Sequence, residues 1–283
     1  MNTTSQPIYL DNVEDFTVSH EKFQLHYDAS LDLLHTYPQP ELEKLGKYYE
    51  SEDYISHTDS KRSMFEKAYH LVKKRALNQK IKLIETQQPN KGNLLDMGCG
   101  TGDFLQLAQQ MGWQIQGIEP NEKAKQISAS KGVTFLSGTP EAADQQFDAI
   151  TLWHVLEHLP NLEEQIKELK RLLKPNGTLV IAVPNYKSFD AKHYKQFWAA
   201  YDVPRHLWHF SKTSIQGLVA QVDMQVVAVR PMKFDSFYVS LLSEKYKTGK
   251  MNYFKAFFIG LYSNWKGSQT NEYSSHIYLI KNN

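Results

Sequence analysis

Cysteine is nearly absent. The one thiol, Cys99, excludes any disulfide framework within the 283 residues and any zinc site built on cysteine pairs, and it fits a reducing compartment. A long apolar run is also missing. A membrane-spanning helix needs ~18 or more such residues, and the best stretch, 256–262, falls far short. The N-terminus lacks the basic start and apolar stretch of a secretory signal, so the expected location is the cytoplasm. Charge of one sign is lacking too. Lys and Arg number 32 against 31 Asp and Glu, so no global field favours nucleic acid or an anionic surface, and no aromatic-basic stripe of the single-strand-binding kind stands out. There is no internal repeat and no low-complexity linker.

What is present has the texture of a globular α/β chain in three parts. Residues 1–90 read as a strand and helix addition. Phe16-Thr-Val-Ser and Phe23-Gln-Leu-His-Tyr27 alternate like short strands, and Tyr37-Pro-Gln-Pro40 breaks the chain before a helix start. From Lys61 to about Gln87, Met64, Phe65, Ala68, Leu71, Val72, Ala76 and Ile81 track one helical face. Residues 91–185 alternate strands (93–97, 113–118, 133–136, 147–153, 178–183) with helices (103–111, 122–130, 162–173), the rhythm of a doubly wound, mostly parallel sheet. Residues 186–283 complete it as a C-terminal lobe: a capped helix over 211–222, a strand over 224–229, an aromatic helix over 254–265, and a last strand, 276–280, at or near an edge.

The sharpest signal is Leu94-Leu-Asp-Met-Gly-Cys-Gly-Thr-Gly-Asp-Phe104, a strand running through a glycine cluster into a helix. Glycine is needed where the backbone takes positive φ or must approach a ligand with no Cβ in the way. The carboxyl end of a first parallel strand is the expected ligand crevice. Glu119 ends the next strand in Ile115-Gln-Gly-Ile-Glu-Pro120, where an acid can accept both hydroxyls of a ribose. A nicotinamide-binding loop wants its third glycine one residue later, at the place Asp103 occupies. Two acids beside the loop, Asp96 and Asp103, disfavour a pyrophosphate and favour a ligand carrying an ammonium and a sulfonium.

At these residues the chain resembles the class I S-adenosylmethionine-dependent methyltransferases. Asp96-x-Gly98-x-Gly100-x-Gly102, Glu119, Phe147-Asp-Ala-Ile and Leu173-Lys-Pro-Asn-Gly177 stand in the family's order. The resemblance implies a Rossmann-like fold with S-adenosylmethionine as cofactor and S-adenosylhomocysteine as product. It also implies a cofactor site of Asp96, Gly98, Cys99, Gly100 and Gly102 for the methionine part, and Glu119 and Pro120 for the ribose. Thr139, where the family often carries an acid, would border the adenine, and Trp153 and His154 would line the methyl-transfer point. An Asp28-to-Leu31 stretch resembles a segment that carries a zinc pair in a bacterial branch, here without its cysteines, so apolar packing is expected to hold this lobe. Tyr54 or His57 is a candidate to close over the cofactor.

Two histidine clusters are the candidate catalytic groups. In Trp153-His-Val-Leu-Glu-His-Leu159, His154, Glu157 and His158 are spaced for one helical face. Pro204-Arg-His-Leu-Trp-His-Phe-Ser211 holds His206 and His209, and resembles a stretch of the same bacterial branch. A base with an ordinary pKa near ~6.5 makes His154, His206 or His209 a candidate for deprotonating an acceptor. Against this, Asp202 and Arg205 are spaced to pair, with the histidines bonding locally to fix the loop. Although quinone-pathway relatives carry acid and histidine side chains at 157 and 158, no metal is expected. The resulting expectation is methyl transfer to a small-molecule acceptor, preferentially a hydroxyl. A nicotinamide-dependent oxidoreductase and a non-catalytic binding protein on this fold are the alternatives.

Overall fold

The structure, a computed structural model, describes residues 6–49 and 64–283, with the backbone only over 64–74. Its larger sheet has seven strands: β4 (Asn93–Met97), β5 (Gln114–Ile118), β6 (Thr134–Phe135), β7 (Phe147–Trp153), β8 (Leu173–Pro184), β10 (Met224–Pro231) and β11 (Ser275–Asn282). They lie side by side in the order β10-β11-β8-β7-β4-β5-β6. The five from β8 to β6 run parallel, and β11 and β10 are antiparallel additions. From β4 the chain winds outward through β5 and β6 and then returns to the other side through β7 and β8. The switch point, where such sheets open a crevice, therefore falls at the carboxyl ends of β4 and β7.

Strand periodicity explains the layering. In β4, Leu95 and Met97 face one hydrophobic cluster and Leu94 the other; in β8, Leu179, Ile181 and Val183 oppose Val180. A parallel strand covered on both faces reads as a continuous apolar run because both alternating sets are buried. One cover is α2 (Met64–Glu85) and α3 (Asp103–Gln110), whose Ile81, Ile84, Phe104 and Leu105 pack on Leu94 and Ala149. The other is α5 (Leu162–Leu172) and α7 (Lys212–Ala220). In α5, Leu162, Ile166, Leu169 and Leu172 make a narrow buried stripe, and Ser211 caps α7 through its hydroxyl. Between β5 and β6 lies α4 (Glu122–Ser130), capped by Asn121. A short α1 (Leu42–Leu45) buries no residue, and α6 (Phe189–Tyr194) covers the second sheet with Ala191 and Tyr194.

That second sheet is antiparallel, β1 (Ile8–Glu14), β2 (Lys22–Asp28), β3 (Leu33–Tyr37) and the two-residue β9 (Trp208–His209) in sequence. Here the reading of residues 16–19 as a strand is corrected to a turn. Asp15 accepts the backbone N–H of Thr17, Val18 and Ser19 at 2.8–3.2 Å, and a carboxylate collecting successive amides closes the chain before Phe16 can extend. A further helix, α8 (Asp235–Thr248), packs on α9 (Tyr253–Thr270), forming a hairpin inserted between β10 and β11.

The small sheet is not held by apolar packing alone. Arg205 is 2% exposed. Its guanidinium donates to Asp15 at 2.9 Å, to Asp202 at 2.7 and 3.0 Å and to the Tyr48 carbonyl at 2.9 Å. Asp32 forms a second knot, accepting from Tyr186 at 2.9 Å and Ser211 at 2.7 Å, with Lys187 beside it. Removing one partner of a buried pair strands the other charge, so Arg205→Ala should destabilise the fold by about 3–5 kcal/mol. Urea denaturation of the two proteins measures this, and an unchanged midpoint would show that Asp15 and Asp202 find other partners.

Candidate active site

The crevice is built from the turn after β4. Asp96, 3% exposed, is the penultimate residue of the strand and accepts a hydrogen bond from the Thr151 hydroxyl of β7 at 2.5 Å. Burial pushes its carboxyl up to about 7, against the bond from Thr151 and the charge of Lys80. The loop then leans on the next strand: Gly98 N–H donates to the Ile118 carbonyl at 2.7 Å, and Gly100 N–H to the Glu119 carboxylate at 2.8 Å. The other Glu119 oxygen accepts from Asn121 N–H at 2.8 Å, so this acid straps the glycine loop to the end of β5.

Two glycines show what the loop excludes. Gly102 has φ +77°, and a Cβ there would meet the Ser128 hydroxyl at 2.1 Å, so the helix start needs glycine for contact inside the protein. Gly100 has φ +54° but its Cβ direction meets nothing within 4 Å. This glycine borders open space beside Glu119, which holds its N–H. The Cys99 thiol is buried, 8% exposed, and burial beside the two acids pushes it up to about 12. Its expected place in the site is therefore one of backbone.

At the carboxyl end of β7, Trp153 lies under Lys80, whose Nζ is 4.2 Å from the ring centroid, and edge-on to Phe104. His154 follows with φ +58°, a conformation costly for a residue with a Cβ and found where structure is over-determined. The expected helical face carrying His154, Glu157 and His158 is replaced by a left-handed residue and a single 3-10 turn, Leu156–His158. His154 Nδ1 lies 3.3 Å from Glu157 and Nε2 3.2 Å from Asp235 of α8, with the side chain 35% exposed. Burial opposes its charge, but the two carboxylates win and raise it to about 10. The two carboxylates favour the protonated form of His154 and occupy both of its ring nitrogens, which works against its expected role as a base.

The other two candidate bases are turned away. His209 is 4% exposed, 3.1 Å from the Thr36 hydroxyl in the small sheet, and burial drives it far down to the neutral form. His206, 8% exposed, donates from Nδ1 to the Ala200 carbonyl at 2.9 Å. Both are buried where β9 pairs with β3. Arg205 does pair with Asp202. What spacing along the chain did not join is His206 with Glu157 and His158, whose ligand-type atoms lie within 4.8 Å of one another. His158 Nδ1 donates to the Arg205 carbonyl at 3.0 Å and burial lowers it to about 4. A buried acid followed by histidine was visible, but its third neighbour comes from the Asp202–Ser211 loop. Glu119 and Pro120 follow directly on the carboxyl end of β5, partly buried and exposed respectively. Thr139 turns elsewhere, its carbonyl held by Arg171 and its side chain toward Glu168 of α5. Tyr54 and His57 lie outside the described residues.

A doubly wound sheet in this strand order, with a glycine turn and a distal acid at its switch point, defines an adenosyl-cofactor transferase scaffold. The methyltransferase domain family matches residues 66–229, and the chain belongs to it, within the class I S-adenosylmethionine-dependent methyltransferases. S-adenosylmethionine is the cofactor of this class. Membership sets aside the oxidoreductase alternative. A putative methyltransferase of Bacillus subtilis is 30% identical over 118 residues, 38% of this chain and 48% of that protein. A ubiquinone biosynthesis O-methyltransferase of Rhodopseudomonas palustris is 33% identical over 106 residues, 34% of this chain and 42% of that protein. The chain thus spans about half the length of the curated relatives it matches. Among solved structures, an Archaeoglobus fulgidus S-adenosylmethionine-dependent methyltransferase aligns at TM-score 0.52 and 18% identity, over 76% of this chain and 94% of that one. A geranyl diphosphate C-methyltransferase of Streptomyces coelicolor, solved with S-adenosylhomocysteine, aligns at 0.55 and 13%, over 81% and 84%. Both likenesses concern the fold. No described helix is long and apolar enough to cross a membrane.

A histidine raised above its unfolded value stabilises the fold fully below about pH 6.5 and loses that contribution as pH rises through about 10. The stability difference between the native chain and His154→Gln should therefore shrink across that window. Its size should be about 1 kcal/mol after solvent screening. Urea titrations at intervals between the two limits check it; a difference independent of pH would remove the imidazolium.

Proposed function

We propose that this chain transfers a methyl group from S-adenosylmethionine to the hydroxyl oxygen of a small molecule, with an acidic, phenol-like hydroxyl preferred. The observation that carries the reading is the open cradle at Gly100, set between a buried carboxylate and a carboxylate strapped to the loop. These residues fit the cofactor. Asp96 would face the ammonium of the methionine part, whose charge relieves the cost of burying that carboxylate. Glu119 would accept the ribose hydroxyls, and the glycine loop gives the chain room beside them. When bound, the cofactor supplies a methyl group on a positively charged sulfur, so no acid is needed for the leaving group.

The chain's own contribution at the acceptor is position, and the acidity of the hydroxyl is the acceptor's own. His154 beside Trp153 has both ring nitrogens on carboxylates, Glu157 and Asp235, so it fixes the turn after β7 and the start of α8 at the crevice and adds no net positive charge. The proton goes to water and the oxygen attacks as an oxyanion, held in line by the walls of the crevice. Alkyl alcohols, whose protons are far harder to remove, gain least from this arrangement. The stretch shared with ubiquinone O-methyltransferases supports oxygen as the atom methylated.

Binding separates from chemistry in the tests. Gly100→Val should abolish calorimetric binding of S-adenosylhomocysteine, and Glu119→Ala should weaken it about tenfold or more. Affinity should fall as pH drops below about 7, by up to about tenfold per unit, as Asp96 takes up a proton, and Asp96→Asn should lose that dependence. Unchanged affinity in all three variants would remove the site. In a screen with methyl-labelled cofactor, phenols should be methylated and alkyl alcohols should not. His154→Gln should lower kcat about tenfold with adenosyl affinity intact, because the turn after β7 and α8 lose their shared anchor. Binding with no turnover on any hydroxyl or amine would favour the non-catalytic alternative.

A further inference from the structure

The hairpin of α8 and α9 is built inside out. Along α9 the residues Phe254, Phe257, Phe258, Leu261, Tyr262 and Trp265 recur with the spacing that normally turns a helix toward a core. All six are exposed, from 42% at Tyr262 to 83% at Phe254. The buried face is made instead of Ala256, Gly260, Ser263 and Gly267, with Gly260 against Phe237 of α8, Ser263 donating to Asp190 and Gly267 against Tyr273. Small residues let the two helices approach until a Cβ on Gly260 would touch the backbone of Phe237 at 3.0 Å. Only the edges of the stripe are engaged, Phe257 on Phe237 and Tyr262 against Phe189. Phe234 and Tyr238 of the same hairpin region, 71% and 56% exposed, extend the face.

We infer that this face of the hairpin docks on an anionic lipid surface, which goes beyond the proposed methyl transfer. Charge supports that occupant. Residues 231–270 hold six lysines and two acids, whereas the rest of the chain has more acids than bases. Both acids are engaged, Asp235 with His154 and Glu244 with Lys255. Lys233, Lys245, Lys247 and Lys250 are exposed along the hairpin, and Lys266 lies 5.1 Å from the Trp265 ring centroid. Aromatic side chains with an apolar body, rimmed by lysine, are what a helix lying in the headgroup region uses. The rings enter the acyl boundary while the ammonium groups meet phosphates. A second copy of the chain is a poorer occupant, because a two-fold contact through this face would set the same lysines against one another.

The test is co-sedimentation of the full chain with phosphatidylcholine vesicles with and without phosphatidylglycerol. The native protein should bind the anionic vesicles, release at high salt, and bind phosphatidylcholine alone about tenfold or more weakly. Phe254→Ser/Phe258→Ser/Trp265→Ser should reduce binding to the anionic vesicles about tenfold or more. Lys245→Glu/Lys247→Glu/Lys250→Glu should reduce it at low salt. Circular dichroism and S-adenosylhomocysteine binding confirm that each variant is folded. Absence of vesicle binding by the native chain, or equal binding by the serine variant, overturns the inference. So does self-association in sedimentation velocity that the serine substitutions abolish without any lipid binding, which would assign the face to a protein contact.

Discussion

The buried charge of Arg205 organises the half of the molecule that lies outside the large sheet. A guanidinium with no access to water must have its donors met, and here two carboxylates and a main-chain carbonyl from three separate segments meet them. Once Arg205 is fixed, the residues on either side have little freedom. Its carbonyl accepts from His158, the next carbonyl, of His206, accepts from Thr36, and Leu207 N–H donates to Glu157. The loop from Asp202 to Ser211 is thereby sewn to the small sheet on one side and to the turn after β7 on the other. The histidines of this loop serve that stitching.

The crevice follows a different constraint, the cost of burying carboxylates. Asp96 is held with one hydroxyl donor and a carboxyl shifted toward neutrality, while Glu157 sits among histidines and shares the charge of His154. One site thus contains an acid inclined to take a proton and a histidine inclined to keep one. The two lie at neighbouring strand ends because β4 and β7 are adjacent at the switch point. The same geometry ties the hairpin to the chemistry, since Asp235 in the first turn of α8 is one of the two anions on His154.

The large sheet was legible in the sequence because its signals are local. Apolar-rich runs over 93–97 and 147–153, an amphipathic 162–173 and glycines between strand and helix each declare themselves within a dozen residues. The small sheet was not. Phe16 to Ser19 has strand composition, but a carboxylate one residue earlier draws three amides into a turn, and β3 is completed by two residues from far along the chain. α8 was missed because Ser236, Val239, Ser240 and Ser243 bury a face too polar to mark a period. The position of Asp96 and Glu119 could be read from spacing. The charge of His154 could not, because Asp235 lies in a helix that sequence alone did not reveal.

The lone thiol has a use that its burial creates. Cys99 belongs to the glycine turn itself, is 8% exposed, and is held protonated by its surroundings. It reacts with an alkylating reagent only through states in which that turn opens and the thiolate forms. With no other cysteine in the chain, the rate of modification counts openings of one loop, without any label or substitution. The protein therefore carries its own clock for the opening of the turn that follows β4.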